Sequence, residues 1–433
     1  MTVYSVADFG AVADGEHLTT AALQAAIDAA SAPGSVVHIP AGTYLTGALF
    51  LHSQMTLDFA SGAKLVATTD LAQFPERFAR VAGVEMNWPT AILNLLDLED
   101  VTLQGPGILD GSGPFWWDTY WGADQHSGRR ADYDAKDLRW IADYDIKRVR
   151  TILAQSCHHL HIDGLTLQRA GFWNLQLTYC DDVEVSNLTI RQSNGPSTDG
   201  IDVDSSTHVR IHDCTLACGD DCIAIKSGRD GDGLRVNRPT TDVEIDHCHI
   251  LSGYGVTIGS EVSGSVRRIN IHDMEFTNSG CGFRMKSALD RGGVIEEITV
   301  SNLHMVNVQF PFSWLLTWHN QYNHKTMVDL SDKPAAWRAV AAQIPEDLQI
   351  TQVQNIHIQN VEATLTADYT LPSRAFDLKA LPQKPMKGIT FNHVRIQAHE
   401  FGHIVAVDDL QLNDVTISVS QANTAANDDY DNR

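Results

Sequence analysis

The sequence predicts an all-β fold, a single-domain right-handed parallel β-helix with an N-terminal capping helix, and three observations carry that expectation. An eight-residue pattern, apolar at its first, third, sixth and eighth places, occurs nine times, starting at Leu160, Val183, Val209, Val243, Ile269, Ile298, Ile356, Ile389 and Leu410. Most copies lie 21 to 34 residues apart, the period of a solenoid with no room for a helix in each repeat. Alternation on both sides of a two-residue break reads as strand, corner, strand, so each copy buries its inner side chains and stacks on the next at about 4.8 Å.

The elements follow in chain order. Residues 1–70 form the cap region, where TTAALQAAIDAA carries Leu23 and Ile27 at i and i+4, with Thr19 or Thr20 as its N-cap. Such a helix covers an open β-helix end, which would otherwise expose unpaired backbone. Residues 112–150 and 306–347 break the period and are dense in Trp, Tyr, Arg and His, as long loops that carry function are. Any single Trp in them serves equally well as a sugar platform or as packing. The helix domain ends near residue 420, and 421–433 is a polar, acidic tail that is expected to fray.

Composition limits the partners. A formal charge of -23 disfavours nucleic acid or an anionic membrane. The first thirty residues lack the basic start and apolar run of a secretory signal, so a cytoplasmic location is expected. Seven cysteines, an odd number in a chain with a large core, suit buried thiols in a reducing compartment. Cys218 and Cys222 have no zinc-finger partner pair, and neither a metal nor another cofactor is expected.

The chemistry-bearing segments lie on successive coils. STDGID places Asp199 one coil, 22 residues, before Asp221 of GDDCIAIKSG, so Asp199, Asp220 and Asp221 are expected to cluster at strand starts on the outer surface. Alternation turns Ile201, Val203, Ile223 and Ile225 inward and leaves Asp202, Asp204, Ala224 and Lys226 outward, with Asp202 read as an ordinary solvated residue. GYGVTIGSE follows at 253–261, and CGFRMKS at 281–287 puts Arg284 and Lys286 on one side. Closely spaced carboxylates divide into a protonated and an ionised member, the pair that glycosidic cleavage needs. Arg284 and Lys286 beside them suit a substrate that carries carboxylates.

STDGID, GDDCIAIKSG, GYGVTIGS and FRMKS, in this order, together with YSVADFGAVADG and FWNLQLTYC, resemble glycoside hydrolase family 28, the polygalacturonases and rhamnogalacturonan hydrolases of pectin breakdown. The resemblance implies an inverting hydrolase in which Asp220 is the general acid and Asp199 with Asp221 positions and deprotonates water. It implies that Arg284 and Lys286 hold a substrate carboxylate; Tyr254 and Lys226 are further substrate-binding candidates. Two positions depart from the usual Asn-Thr-Asp and Gly-His-Gly: Ser197 opens the first segment and Tyr254 centres the third. A Tyr does not exchange protons near neutral pH as a His does, with reference pKa values of roughly 10 and 6.5, so Tyr254 is expected to hydrogen-bond or stack on a sugar. Stacking at about 4.8 Å by itself favours the shorter carboxylate separation of retaining enzymes, and the family favours inversion. The long loops point to exo-action on a pectic oligosaccharide, of the galacturonidase or exo-polygalacturonase type. The alternatives are a rhamnogalacturonan-type hydrolase, a calcium-dependent pectate lyase and a non-catalytic glycan-binding β-helix.

Overall fold

A computed structural model describes residues 2–327 and 329–423; most of the expected tail lies outside the described residues. By its internal contacts the chain forms two compact units, one made of residues 1–79, 86–132 and 146–220, the other of residues 80–85, 133–145 and 221–433. Both are built from coils of a parallel β-helix, and the copies of the eight-residue pattern pair in register. In the first unit Leu160 pairs with Val183 and Val183 with Val209. In the second, Val243, Ile269, Ile298, Ile356 and Ile389 pair in sequence.

The corner has a conformational cause that extends the sequence reading. The fifth residue of every copy is left-handed: Gly164, Asn187, Asp213, His247, Asp273, Asn302, Asn360, His393 and Asp414 have φ between 50° and 76°. The residue before each copy is left-handed too, as at His159, Asp182, His208 and Asn355. Most of these are residue types that enter this region at low cost, through absence of a Cβ or a short polar side chain that bonds locally, and Arg268 and Glu297 adopt it before two of the copies as well. Polarity at the corner is therefore in large part a backbone requirement.

A second face is built from short strands that carry the site. In the first unit these are Leu49–Phe50, Leu93–Leu96, Ile152–Gln155, Leu175–Thr178 and Ile201–Asp204, paired in parallel. In the second they are Ile223–Lys226, Val256–Ile258, Cys281–Lys286, Phe310–Leu315, Arg374–Lys379 and Glu400–Val405. Inward positions are apolar and fully buried, among them Ile201, Val203, Ile223, Val256, Phe283, Phe312 and Phe376. Phe312 and Phe376 stack at 6.0 Å on consecutive coils.

The Thr20–Ala29 helix forms and buries Leu23, Ala26 and Ile27. Its capping differs from expectation. Thr19 occupies the N-cap position without a side-chain cap bond; its hydroxyl accepts from the Val12 amide at 3.0 Å, and that of Thr20 from the Gly47 amide at 2.7 Å. The hydroxyls join the helix to the first coils. Gln24 then closes the sheet end: its amide donates to the Phe50 carbonyl and accepts from the Phe50 N–H, both at 2.9 Å. A side-chain amide thus satisfies the edge groups that another strand would have paired.

All seven cysteines are buried and free. The corner predicts its own test: Asn360→Val should lower the urea unfolding free energy by about 1–2 kcal/mol, the cost of a left-handed branched residue, while Asn360→Gly stays near the parent. Equal stability of the two variants would contradict the assignment.

Candidate active site

The first unit supplies Asp199 and Asp220 on successive turns. Asn174, fully buried in the FWN segment, donates from its side chain and its backbone N–H to the Asp199 carbonyl at 2.9 and 3.0 Å. The Thr198 hydroxyl bridges to the carbonyls of Ser193 and Gly195 at 2.5 and 2.7 Å. Gly219 packs on this turn so closely that a Cβ there would stand 2.7 Å from the Thr198 hydroxyl and 2.8 Å from the Gly195 carbonyl. Glycine ahead of the paired acids is therefore a packing requirement. Ser197, at φ 52°, takes a left-handed position where an Asn would be at ease. The buried Arg148 guanidinium braces it, bonding the Pro196 carbonyl and lying 3.4 Å from the Ser197 hydroxyl. Arg148 is itself held over the Tyr120 and Phe172 rings.

The outcome is an acid pair whose carboxylate oxygens approach within 4.8 Å. Asp199 is 3% exposed and Asp220 half-buried. The outer-surface location expected for Asp199 is corrected, because the outer face of its strand is covered, whereas Asp220 keeps some exposure. Asp202 and Asp204, expected to be solvated, are fully buried. Asp202 pairs in register with Gln176, whose carbonyl oxygen accepts from Arg150 at 2.7 Å. Arg150 arrives from the end of the 112–150 loop and also bonds the Pro89 carbonyl, so this covering is what displaces water.

The longest segment of the second unit begins at Asp221, which is fully buried. Its carboxylate accepts from the Thr257 hydroxyl at 2.7 Å, lies 2.7 Å from the Lys286 ammonium and 3.5 Å from the Arg284 guanidinium. Burial raises its proton affinity, but Lys286, Arg284 and Lys226 outweigh burial and hold the carboxyl below the usual range. Arg284 and Lys286 do share one side of their strand, with Phe283 and Met285 inward as expected. They are 5% exposed and paired with Asp221, where the sequence suggested open surface cations.

Two rings flank the cations. The Tyr254 ring centroid lies 4.7 Å from the Arg284 guanidinium carbon, so the stacking partner of Tyr254 in this structure is Arg284. Trp318, from the 306–347 loop, lies 4.4 Å from the Lys286 ammonium and 5.8 Å from Arg284. Among the described residues its indole N–H is buried without a hydrogen-bond acceptor. Trp314 of the same stretch, by contrast, is fully buried in the core against Phe391. The sequence had no means to separate the two.

Lys226 is 4% exposed, bonds Glu261 at 3.3 Å, and adds its charge to those that hold Asp221 ionised. Glu261 was overlooked within GYGVTIGSE. Burial raises its pKa, but Lys226, Arg291 and Arg229 bring it down to about 2. Arg229 donates to the Tyr144 hydroxyl at 2.6 Å and the Tyr322 carbonyl at 2.9 Å, tying both long loops to the scaffold. His319, beside Trp318, is lowered to about 4 by burial and by Arg139 and accepts from the Tyr322 N–H, so it is neutral at neutral pH.

A parallel β-helix that carries a half-buried carboxylate at Asp220 and, next in the chain, one kept ionised by cations at Asp221 has the equipment of an acid/base glycosidase. The protein family described as glycosyl hydrolases family 28 matches residues 34–326. The chain belongs to this family and is a glycoside hydrolase. It is 29% identical over 405 residues to a probable polygalacturonase of Vitis vinifera, covering 90% of this chain and 74% of that protein. Its fold is similar to an exopolygalacturonase of Thermotoga maritima, with a TM-score of 0.76 and 24% identity over 95% of this chain and 91% of the other. It is similar too to a family 28 exopolygalacturonase of Yersinia enterocolitica, with a TM-score of 0.80 and 21% identity over 98% and 76%.

Because Asp221 has a folded pKa below its ordinary value near 3.8, its contribution to stability is present above that value and is lost as pH falls through the lowered one. Lys286→Met removes the nearest cation and raises that pKa. Urea unfolding from neutral pH down through the carboxylate range should show the variant losing stability at higher pH than the parent. Parallel profiles would exclude Asp221 as the responsible group.

Proposed function

We propose that the protein is an exo-acting hydrolase of pectic, uronate-containing oligosaccharides, with Asp220 as general acid. The observation that carries this reading is the contrast between neighbouring carboxyls: Asp221 is buried and held ionised by Lys286 and Arg284, whereas Asp220 is half-exposed. A carboxylate kept ionised by cations cannot donate a proton, which leaves Asp220 and Asp199, and the family resemblance assigns the acid to Asp220. Asp221 and Asp199 orient and deprotonate the water, and family membership supports inversion. Family membership also favours hydrolysis over the elimination of a lyase.

Arg284 and Lys286 hold the substrate carboxylate by charge-assisted bonds while they share charge with Asp221. Tyr254 and Trp318 bound that position through their rings. Lys226 supports the site from behind through Glu261. Exo-action is supported by the loops fastened at Arg229 and by the names of the relatives.

Asp220→Asn should keep the fold and reduce turnover on the order of 10²- to 10⁴-fold, since an amide cannot supply the proton. A near-normal rate would remove Asp220 from this role. On defined galacturonate oligosaccharides the parent should release monomers or dimers from the first time points. Mid-chain fragments that precede them would overturn exo-action.

A further inference from the structure

A cleft of about 380 Å³ in the second unit begins beside Tyr254 and is not used by the reading above. Its size lies within the ~300–1,000 Å³ range typical of ligand sites. It starts at Gly280, whose N–H donates to the Gly253 carbonyl at 2.7 Å. A Cβ at Gly280 would stand 2.9 Å from the Tyr254 ring, so the cleft borders the ring that Arg284 covers. From there it crosses the turns that lead into the Phe310–Leu315 and Arg374–Lys379 strands.

The lining has the chemistry of a sugar subsite. Tyr369 supplies an aromatic face held by stacking on His399 at 6.0 Å. Among the described residues, the Gln309 side-chain amide and the Thr370 hydroxyl have no partner within the protein, so donors and an acceptor are available. Asn307, by contrast, is committed to Thr366 and Asn278. At the rim Leu371 is 59% exposed and offers apolar surface.

The charge of the lining decides the class of sugar. It contains no Lys, Arg or His, and its one charged group is the exposed carboxylate of Asp368. A uronate placed here would face a like charge with no cation to offset it, the reverse of the situation at Arg284 and Lys286. We infer that the cleft is a subsite for an uncharged pyranose of the same substrate, beyond the uronate held by Arg284 and Lys286. An esterified galacturonate and a neutral deoxy sugar share this chemistry, and a methyl group on either suits Leu371. The inference rests on the proposed function, because it needs Arg284 and Lys286 to hold a uronate.

The test titrates the Asp220→Asn protein calorimetrically with trigalacturonate, with its two terminal mono-methyl esters, and with digalacturonate carrying a terminal rhamnose. At least one uncharged-ended ligand should bind about threefold tighter than trigalacturonate, the scale of one exposed charge pair. Asp368→Asn should narrow that gap by strengthening trigalacturonate alone. Preference for the ester only, for rhamnose only, or for both identifies which uncharged ring is accepted. In the active enzyme, Tyr369→Ala should remove the gain from the third ring and leave digalacturonate turnover unchanged. Equal or tighter binding of trigalacturonate, unaffected by Asp368→Asn, would overturn the inference. A parent enzyme that releases no reducing ends from any of these ligands would overturn the proposed function, and the binding comparison would still be read independently.

Discussion

In-register parallel stacking is the constraint on which the rest of the structure depends. Once backbone hydrogen bonds fix the register, every outward side chain acquires a neighbour one coil on, about 4.8 Å away. Like charges at that spacing would repel, and the outward column of the second unit avoids this. It runs Thr257, Arg284, Ser313, Asp377, with a neutral hydroxyl on each side of the cation. The same register requires all coils to bend at the same place. The left-handed fifth residue of each copy answers that need, and so the nine corners share a small set of residue types.

Burial of charge then shapes the site. A carboxylate without water must find cations or be protonated, and Asp221 finds Lys286 and Arg284, whose long side chains reach it from the strand two coils further on. The second unit repeats this solution away from the reaction centre: Glu261 meets Lys226, and Asp230 meets Arg291, Lys325 and Arg229. Buried pairs add little net stability, because desolvation offsets most of the attraction. Breaking one leaves an uncompensated charge, so each pair tolerates few alternative loop positions. Here that specificity fixes Tyr144 and Tyr322, and with them the two long loops, to a rigid coil.

How much of this was legible in the sequence depended on whether a feature was periodic. The repeats exposed the fold, the one-coil interval between Asp199 and Asp221, and the shared side of Arg284 and Lys286, because alternation and stacking are read directly from spacing. Burial of the outer face was not legible. Asp202 looked solvated because a β-helix coil has an outer face by itself, and nothing local indicates that Arg150 and its neighbours will cover it. Glu261, Trp318 and His319 were missed or undecided for a related reason. Their partners are remote in sequence or sit in aperiodic loops, and Trp314 and Trp318, four residues apart, have opposite fates.

The exchange at Tyr254 is understood from its contact with Arg284. A protonated imidazole at this place would repel the guanidinium, whereas a phenol ring presents a face that attracts it. Tyr254 therefore removes a group that titrates near neutral pH and holds Arg284 where it reaches Asp221. His319, brought to the other side of the cations by the 306–347 loop, restores no such titration, because burial and Arg139 keep it neutral until about pH 4. His319 therefore does not change charge near neutrality. Acid–base behaviour at this end of the site thus rests with carboxyl groups, and the uronate recognition proposed for Arg284 and Lys286 does not depend on a histidine's proton.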